Sequence, residues 1–269
     1  MKELFELRGE LSHRTRVTIE LSGLIFLLVA WWLVTFLGKI PPSILPSPAR
    51  VVASFPELHF DNEVVRHALH SIKLNLLGYT EAVAISLPIG FLVGLLPLFR
   101  GLFERPVVAL RYLPLSAVLG PFILWFGIGS NMKVQFLALG IIVYLLPTVV
   151  QRVDEVNQTY VNTVATLGAS KWQLVRTVFI PDVLSRVFED IRILVAISWT
   201  YIIIAEVVNR QEGGIGALIF TVARQSRMDE VFACLAVIIF IGVLQDRAFK
   251  LFDRKLFPYK YAVKGRGGE

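Results

Sequence analysis

Residues 112–151 read YLPLSAVLGPFILWFGIGSNMKVQFLALGIIVYLLPTVVQ, and the only charged side chain among them is Lys133. An α-helix needs about 20 mainly apolar residues to cross the roughly 30 Å hydrocarbon core of a bilayer. The charge-free runs on either side of Lys133 both meet that requirement. Four residues typical of turns lie inside the stretch, namely Gly127, Gly129, Ser130 and Asn131. The stretch therefore predicts two consecutive membrane-spanning helices joined by a short turn.

Four more apolar windows occur along the chain. Residues 21–38 and 82–99 are charge-free, while residues 193–205 and 231–245 are shorter and are followed by acidic side chains. Helices inside a membrane bundle tolerate charges near their ends, so all four are counted as spans. The composition is 55% apolar and 18% charged, whereas soluble domains run at about 45–50% and about 25%. The sequence predicts an all-α membrane protein with six spans.

The distribution of basic residues predicts the orientation of these spans. Six spans place both termini on the same side of the membrane. With the N-terminus inside, 18 Lys and Arg residues fall in or beside cytoplasmic segments and 8 in outer segments, which is the bias of the positive-inside rule. We therefore expect both termini in the cytoplasm. The net charge of +6 then reflects topology in a lipid bilayer and predicts no nucleic-acid partner.

The cysteine and histidine content argues against disulfide and zinc folds. Cys234 is a single cysteine, and there are four histidines in all. His67 and His70 can share one helix face, but a zinc site needs three or four convergent ligands. We expect a solvated face there, with no metal site and no cofactor in this chain.

The segments outside the spans are too short to form a second domain. We expect one membrane domain over residues 18–252, a cytoplasmic N-terminus over 1–17 and a cytoplasmic tail over 253–269. Four prolines predict an extended connector after the first span: Pro41, Pro42, Pro46 and Pro48. Residues 51–69 then have the pattern of an amphipathic outer helix.

The loop at residues 157–189 is neither apolar enough to span nor disordered in composition. Apolar residues recur at helical spacing on both sides of Gly168, which can end the first helix in a left-handed conformation. Ser170 and Gln173 form a capping-box pattern for a second helix, and Pro181 is expected to limit how far that helix continues. A single amphipathic helix would be an interfacial anchor, whereas this bent pair favours a docking element for another protein.

The loop sequence TLGASKWQL at residues 166–174, followed by Ile180-Pro181, closely resembles the cytoplasmic loop of ABC importer permeases. Three further stretches resemble the nitrate/sulfonate/taurine/bicarbonate branch of that family. They are ILPSP at 44–48, LWFGIG at 124–129, and AE at 205–206 before GGIG at 213–216. The resemblance covers nearly the whole chain and implies a six-span type I ABC importer permease bundle.

In this family the loop forms the coupling helices, which sit in a groove on the ATP-hydrolysing subunit. The resemblance assigns ATPase coupling to eight residues: Asn162, Thr163, Val164, Gly168, Ala169, Ser170, Ile180 and Pro181. The family's Glu-Ala-Ala positions fall on the first three, so a charged contact is missing here. Either a diverged homodimer or one half of a heterodimer would account for that loss.

The resemblance also implies the partners and the activity. It implies an inner-membrane importer in which two permeases enclose the path, two ATPase subunits bind ATP and Mg²⁺, and an extracytoplasmic binding protein delivers the solute. The solute would be a small polyatomic anion or a related organic compound. This chain would be a transport subunit and not an enzyme, in keeping with the absence of a G-x-x-x-x-G-K-[ST] run from its sequence.

Charged side chains inside spans are costly, so three of them are candidates for the translocation path: Glu81, Arg111 and Glu206. Each also has a structural interpretation. Glu81 could pair with Lys73, Arg111 could lie among lipid headgroups, and Glu206 could pair with Arg210 one turn later.

Two other function classes fit the sequence less well. A passive channel or secondary carrier would show intramembrane polar relays or inverted repeats. A membrane-embedded enzyme would need convergent His, Asp or Glu groups at one depth. Neither pattern is visible, and a channel has no need of a docking loop.

Overall fold

The computed structural model describes Gly9 and residues 11–38 and 40–262, which form helices joined by turns, with no strand in those ranges. The helices are α1 (His13–Leu37), α2 (Pro48–Ala53), α3 (Phe55–Phe60), α4 (Val64–Leu95), α5 (Pro97–Ala109), α6 (Leu115–Phe126), α7 (Ser130–Asp154), α8 (Gln158–Thr166), α9 (Lys171–Leu174), α10 (Ile180–Val208), α11 (Ile215–Arg224), α12 (Met228–Leu256) and α13 (Pro258–Ala262). A 3₁₀ turn, Leu110–Tyr112, follows α5, and a π-helical turn, Val175–Phe179, joins α9 to α10.

Five helical segments of the described chain are long and apolar enough to cross a bilayer. They are α1, α4, α7, α12 and the continuous run Lys171–Val208 that ends with α10. A bent pair, Pro97–Tyr112 and Leu115–Phe126, whose axes differ by 104°, brings the count to six when its two arms are taken as one crossing. The predicted all-α, six-span fold is confirmed on this count.

The third crossing differs from the single spanning window predicted over residues 112–132. Leu113 has an extended backbone, with φ −71° and ψ 120°, between the 3₁₀ turn and α6. The residue before a proline avoids the helical region because the proline ring crowds its backbone, and Pro114 follows Leu113. The chain therefore turns sharply at this point, and α6 covers only 12 residues.

The second crossing begins much earlier than the predicted window at residues 82–99. Helix α4 starts at Val64 and includes the buried polar residues Ser71 and Asn75. Asn75 Nδ2 donates to Ser198 Oγ at 2.9 Å, so a neighbouring helix satisfies this amide. Polar groups with partners can lie inside a bundle, and a hydropathy window does not detect them.

The described residues up to Glu63, together with Thr221–Leu235, form one compact unit. Trp31 on α1 stacks on Phe232 with ring centroids 5.7 Å apart, and its Nε1 donates to the Pro46 carbonyl at 3.1 Å. Arg227 bonds both Glu57 oxygens, at 2.5 and 2.7 Å, and this holds the pKa of Glu57 below its usual value. The apolar window of α1 is unburied along its length, so in a membrane it faces lipid or a partner.

Val64–Phe220 and the described residues from Ala236 onward form the second unit, in which α4, α7 and α10 pack together. The face of α4 against α7 carries a small residue every four positions: Gly78, Ala82, Ser86, Gly90 and Gly94. A methyl group on Gly90 would lie 2.6 Å from Val149 Cβ, and one on Gly94 would lie 2.8 Å from Val153 Cβ. Small residues let membrane helices approach closely enough for dispersion contacts to hold them together.

We predict that Gly90→Leu forces α4 and α7 apart and destabilises the purified chain by about 1–3 kcal/mol, the usual cost of overpacking. Thermal unfolding in detergent measures the loss. Gly101→Leu is the matched control, because a Cβ at Gly101 on α5 meets nothing within 4 Å. Equal unfolding temperatures for the two variants would contradict close packing at this stripe.

Candidate functional site

A helical hairpin formed by α8, a tight turn and α9 connects α7 to α10. Asn157 caps α8, because its side-chain oxygen accepts from the Thr159 N–H at 2.8 Å. Ser170 Oγ accepts from the Gln173 N–H at 3.3 Å, and Gln173 Oε1 accepts from the Ser170 N–H at 2.8 Å. The predicted capping box is confirmed, and it fixes the start of α9.

The turn of the hairpin depends on Gly168. Its φ of +79° lies in the left-handed region, as the sequence predicts. The Gly168 N–H donates to the Ala165 carbonyl at 3.0 Å, and the Ala169 N–H donates to the Val164 carbonyl at 3.4 Å. This pair of bonds is a Schellman motif, which satisfies the last carbonyls of α8 and sets the angle between the two helices.

The expected end of the second helix at Pro181 is wrong. The helix runs without a break from Lys171 to Val208, straight through the proline. Proline has no N–H, and its ring clashes with the carbonyl four residues before it, here that of Thr177. The π-helical turn Val175–Phe179 widens the backbone at that position and accommodates the ring.

The hairpin exposes large apolar side chains on α8, in the turn and on α9. Leu167 is 81% exposed, Trp172 68% and Tyr160 57%. The residues assigned to coupling lie together on this hairpin and at its junction with α10. Asn162, Thr163 and Ser170 are exposed, whereas Val164, Ala169, Ile180 and Pro181 are half-buried. An apolar surface rimmed by such polar groups is the composition of a protein-docking surface.

Ion pairs fix both ends of the hairpin to the bundle. Arg152 at the end of α7 donates two hydrogen bonds to Asp190 on α10, both 2.8 Å long. Arg152 also bonds Glu155 at 2.6 Å. That bond, followed by one from Gln151, keeps the pKa of Glu155 below its usual value. The Arg152–Asp190 ion pair therefore joins α7, which leads into the hairpin, to α10, which follows it.

Helix α13 braces the same junction from the C-terminal side. The Tyr259 hydroxyl donates to the Pro181 carbonyl at 2.9 Å. Lys260 Nζ donates to the Ser185 carbonyl at 3.2 Å and pairs with Glu189 at 2.7 Å. Burial lowers the pKa of Lys260, but the bond to Glu189 and the charge of Asp253 outweigh it, so the net shift is upward.

Two of the three path candidates line separate cavities. Glu81 accepts from Gln135 Nε2 at 2.9 Å beside a cavity of about 350 Å³ that Lys73 and His70 also line. Arg111 lies in the 3₁₀ turn at the bend of the third crossing, where it lines a cavity of about 210 Å³.

Glu206 is fully buried near the end of α10 and binds groups from two other elements. Ser71 Oγ on α4 donates to Oε1 at 2.7 Å, and the Gly216 N–H at the start of α11 donates to Oε2 at 2.8 Å. A Cβ on Gly214 would overlap the Glu206 carboxyl group. Arg210, the partner that the sequence suggested, instead lies over the Phe220 ring, with its guanidinium carbon 4.1 Å from the ring centroid.

The loop between α10 and α11 is held by further contacts. Lys133 Nζ on α7 donates to the Gln211 carbonyl at 2.8 Å and the Gly213 carbonyl at 3.2 Å. The Gly214 N–H donates to His67 Nδ1 at 3.0 Å. Ser130 donates to Glu212 and keeps the pKa of that carboxyl below its usual value. Lys133 is thus a loop anchor, which the sequence alone did not single out.

A bundle of membrane-spanning helices that carries a rigid, exposed apolar hairpin on one loop has the architecture of a transport permease. Within the described ranges, no three His, Cys, Asp or Glu side chains are placed to hold a metal ion. The chain belongs to the family of binding-protein-dependent transport system inner membrane components, whose family model matches residues 86–258. It is a multi-pass permease component of an ABC transport system, which works with ATPase subunits.

Three curated relatives match nearly the whole chain. A taurine transport system permease protein of Escherichia coli K12 is 29% identical over 260 residues, covering 93% of this chain and 92% of the relative. A putative aliphatic sulfonates transport permease protein of Bacillus subtilis 168 is 27% identical, covering 89% and 86%. A bicarbonate transport system permease protein of Synechocystis is 25% identical, covering 92% and 91%. The branch that the sequence resembles is confirmed.

The solved structure of the MetNI methionine ABC transporter in inward-facing conformations shares the fold. The match has a TM-score of 0.61 at 17% identity and covers 71% of this chain and 95% of that one. A second match, to an amino acid ABC transporter with histidines, has a TM-score of 0.57 at 16% identity. The fold is that of a type I ABC importer permease.

We predict that Tyr259→Phe loosens the junction between α9 and α10, because the Pro181 carbonyl loses an added donor worth about 1 kcal/mol. Amide hydrogen exchange over residues 171–185 should quicken severalfold, while exchange in the middle of α7 stays unchanged. Tyr112→Phe serves as the control, since Tyr112 is an exposed residue distant in sequence from the hairpin. Unchanged exchange in Tyr259→Phe would show that α13 does not brace the junction.

We predict that Glu206→Ala destabilises the chain, because the Ser71 hydroxyl and the Gly216 N–H both lose their acceptor inside the bundle. Each unsatisfied group costs about 1–3 kcal/mol. Thermal unfolding in detergent tests this, with Glu104→Ala on the exposed face of α5 as the control. A variant as stable as the control would rule out a structural role for Glu206.

Proposed function

We propose that this chain is the path-forming subunit of an ATP-driven importer for a small polyatomic anion or a related organic solute. The family membership and the names of the relatives support this. Taurine, aliphatic sulfonates and bicarbonate all carry an anionic oxygen-rich group of similar size. The relatives that transport them match this chain along almost its full length.

The observation that carries the proposal is the exposed hairpin at residues 158–174. Its three large apolar side chains are exposed, on a scaffold fixed by two caps and an ion-paired base. We infer that the ATPase subunit covers this surface. The hairpin and both termini then lie in the cytoplasm, which the excess of Lys and Arg in those segments favours.

The geometry explains how the hairpin would transmit force. Closure of two ATPase subunits around ATP and Mg²⁺ would displace the hairpin. Because Lys171–Val208 is one continuous helix, a displacement at its start moves the spanning part as well. Arg152 bonds α10 to the end of α7, and Tyr259 bonds the first turn of α10 to α13. The junction is therefore held by the helix that precedes the hairpin and by the helix at the C-terminal side. The path would then alternate between inward-open and outward-open states as rigid elements shift.

The proposal also includes the remaining partners. A second permease, identical or different, would complete the path, and an extracytoplasmic binding protein would deliver the solute. Arg111, Glu81 and Glu206 stay candidate path residues. The bonds of Glu206 to Ser71 and Gly216 favour a structural role for that carboxyl.

We predict that Trp172→Ala combined with Leu167→Ala disconnects the permease from its ATPase. Buried apolar anchors typically contribute about 2 kcal/mol or more each to an interface, so recovery of the ATPase in pull-downs should fall at least about tenfold. Uptake of radiolabelled taurine or bicarbonate into proteoliposomes should fall in parallel. Phe60→Ala is the control, because Phe60 on α3 is also a large exposed apolar residue.

Two results would contradict the proposal. Normal recovery of the ATPase with the double variant would show that it docks elsewhere. Uptake by the permease alone, without ATP or ATPase, would instead indicate a channel or secondary carrier.

A further inference from the structure

A groove of about 630 Å³ runs between α10 and α12, away from the hairpin tip. Its floor and walls are apolar and include Ile193, Ala196, Ile239, Gly242 and Val243. A Cβ on Gly242 would meet nothing within 4 Å, so the space above this residue is open. None of the coupling or path residues discussed above lines this groove.

One end of the groove carries a cluster of charges. Arg192 Nε lies 3.2 Å from Asp246 Oδ1, and Lys250 Nζ lies 2.6 Å from Asp246 Oδ2. Arg247, which is exposed, also lines this end. Three cations around one carboxylate leave a formal charge of +2, and Asp246 fixes two of the cations at the mouth of the groove.

The two halves of the groove are separated along the axis of α12. Ile239 and Lys250 are 11 positions apart on α12, which corresponds to about 16 Å of helix. The apolar half lies beside the spanning part of α10, while the charged half lies close to the end where Arg152 and Asp190 meet. Trp199 Nε1 donates to Gln245 Oε1 at 2.8 Å, which satisfies both polar groups near the groove.

We propose that this groove binds one anionic phospholipid, with its phosphate at Arg192, Arg247 and Lys250 and one acyl chain along Ile193, Ile239 and Gly242. Arginine binds phosphate oxygens with paired hydrogen bonds, and each cation near the membrane surface favours an anionic headgroup. The apolar half, Ile239 to Val243 on α12, covers about 6 Å of helix and can hold the first carbons of an acyl chain. A soluble anion would leave that half empty, and a zwitterionic headgroup would gain less from the net positive charge.

The test uses the full-length chain, purified in an uncharged detergent and titrated with phosphatidylglycerol in native mass spectrometry. We expect one tightly held phosphatidylglycerol per chain and much weaker binding of phosphatidylcholine of the same chain length. Arg247→Gln with Lys250→Gln should weaken the phosphatidylglycerol site about thirtyfold, the effect of removing two cationic contacts. Gly242→Leu should block the acyl half and reduce occupancy to a similar extent.

Matched controls separate this site from general lipid association. Arg105→Gln with Lys255→Gln removes the same charge from two exposed positions, and Gly101→Leu adds the same side chain where a Cβ has open space. Both controls should keep wild-type binding. If they lose lipid as the groove variants do, or if phosphatidylcholine binds equally well, the proposal is overturned.

Two further results would assign the groove to a different occupant and overturn the proposal. Displacement of phosphatidylglycerol by millimolar inorganic phosphate would indicate a site for a free anion. A change from dimer to monomer in Gly242→Leu, with lipid binding intact, would indicate that a second permease fills the groove.

Discussion

The close approach of α4 to α7 is the contact on which the second unit depends. Five small residues at four-residue spacing allow Val149 and Val153 of α7 to rest against the backbone of α4. In a bilayer there is little hydrophobic gain when helices meet, so close van der Waals packing between α4 and α7 is a main source of the stability of this unit. Once α4 and α7 are fixed side by side, Ser71 and Lys133 stand at one end, where they hold the loop 209–216. Arg152 stands at the other end, at the base of the hairpin.

Helix α10 connects those two ends. Its first turn carries the Pro181 carbonyl that accepts from Tyr259, and Asp190 lies about 14 Å further along the helix. Glu206, two residues before the end, receives donors from α4 and α11. Its 29 residues correspond to about 44 Å. The bonds at Asp190 and Glu206 are charge-assisted or buried, which makes them stronger than the exposed bond from Tyr259. A motion imposed at the hairpin is therefore carried by a helix with defined contacts at both ends.

The sequence predicts the features that depend on neighbours along the chain. Hydropathy marks the spans, and Gly168, Ser170 and Gln173 specify the hairpin because caps act over three or four residues. The sequence does not reveal pairs such as Asn75 with Ser198, whose partners are more than a hundred residues apart. It also leads to an error at Pro181, because the π-helical turn that accommodates the proline has no simple signature. Pro114 is a kink signal in the sequence, but the continuous apolar window around it does not show that two separate helices meet at a bend of 104°.

The π-helical turn at Val175–Phe179 also determines how the chain tolerates length changes. Each residue of an α-helix advances the side-chain direction by about 100°, so a deletion elsewhere in the run Lys171–Val208 would rotate Trp172 to another side of the spanning helix. The π-helical turn contains one residue more than the α-helical path needs. Loss of one residue there would return the backbone to ordinary α-helix and leave Trp172 facing the same way, at the cost of the clash with the Pro181 ring that the wider turn relieves. This short segment is therefore the place where the chain can lose a residue without changing the direction of Trp172 relative to the membrane span.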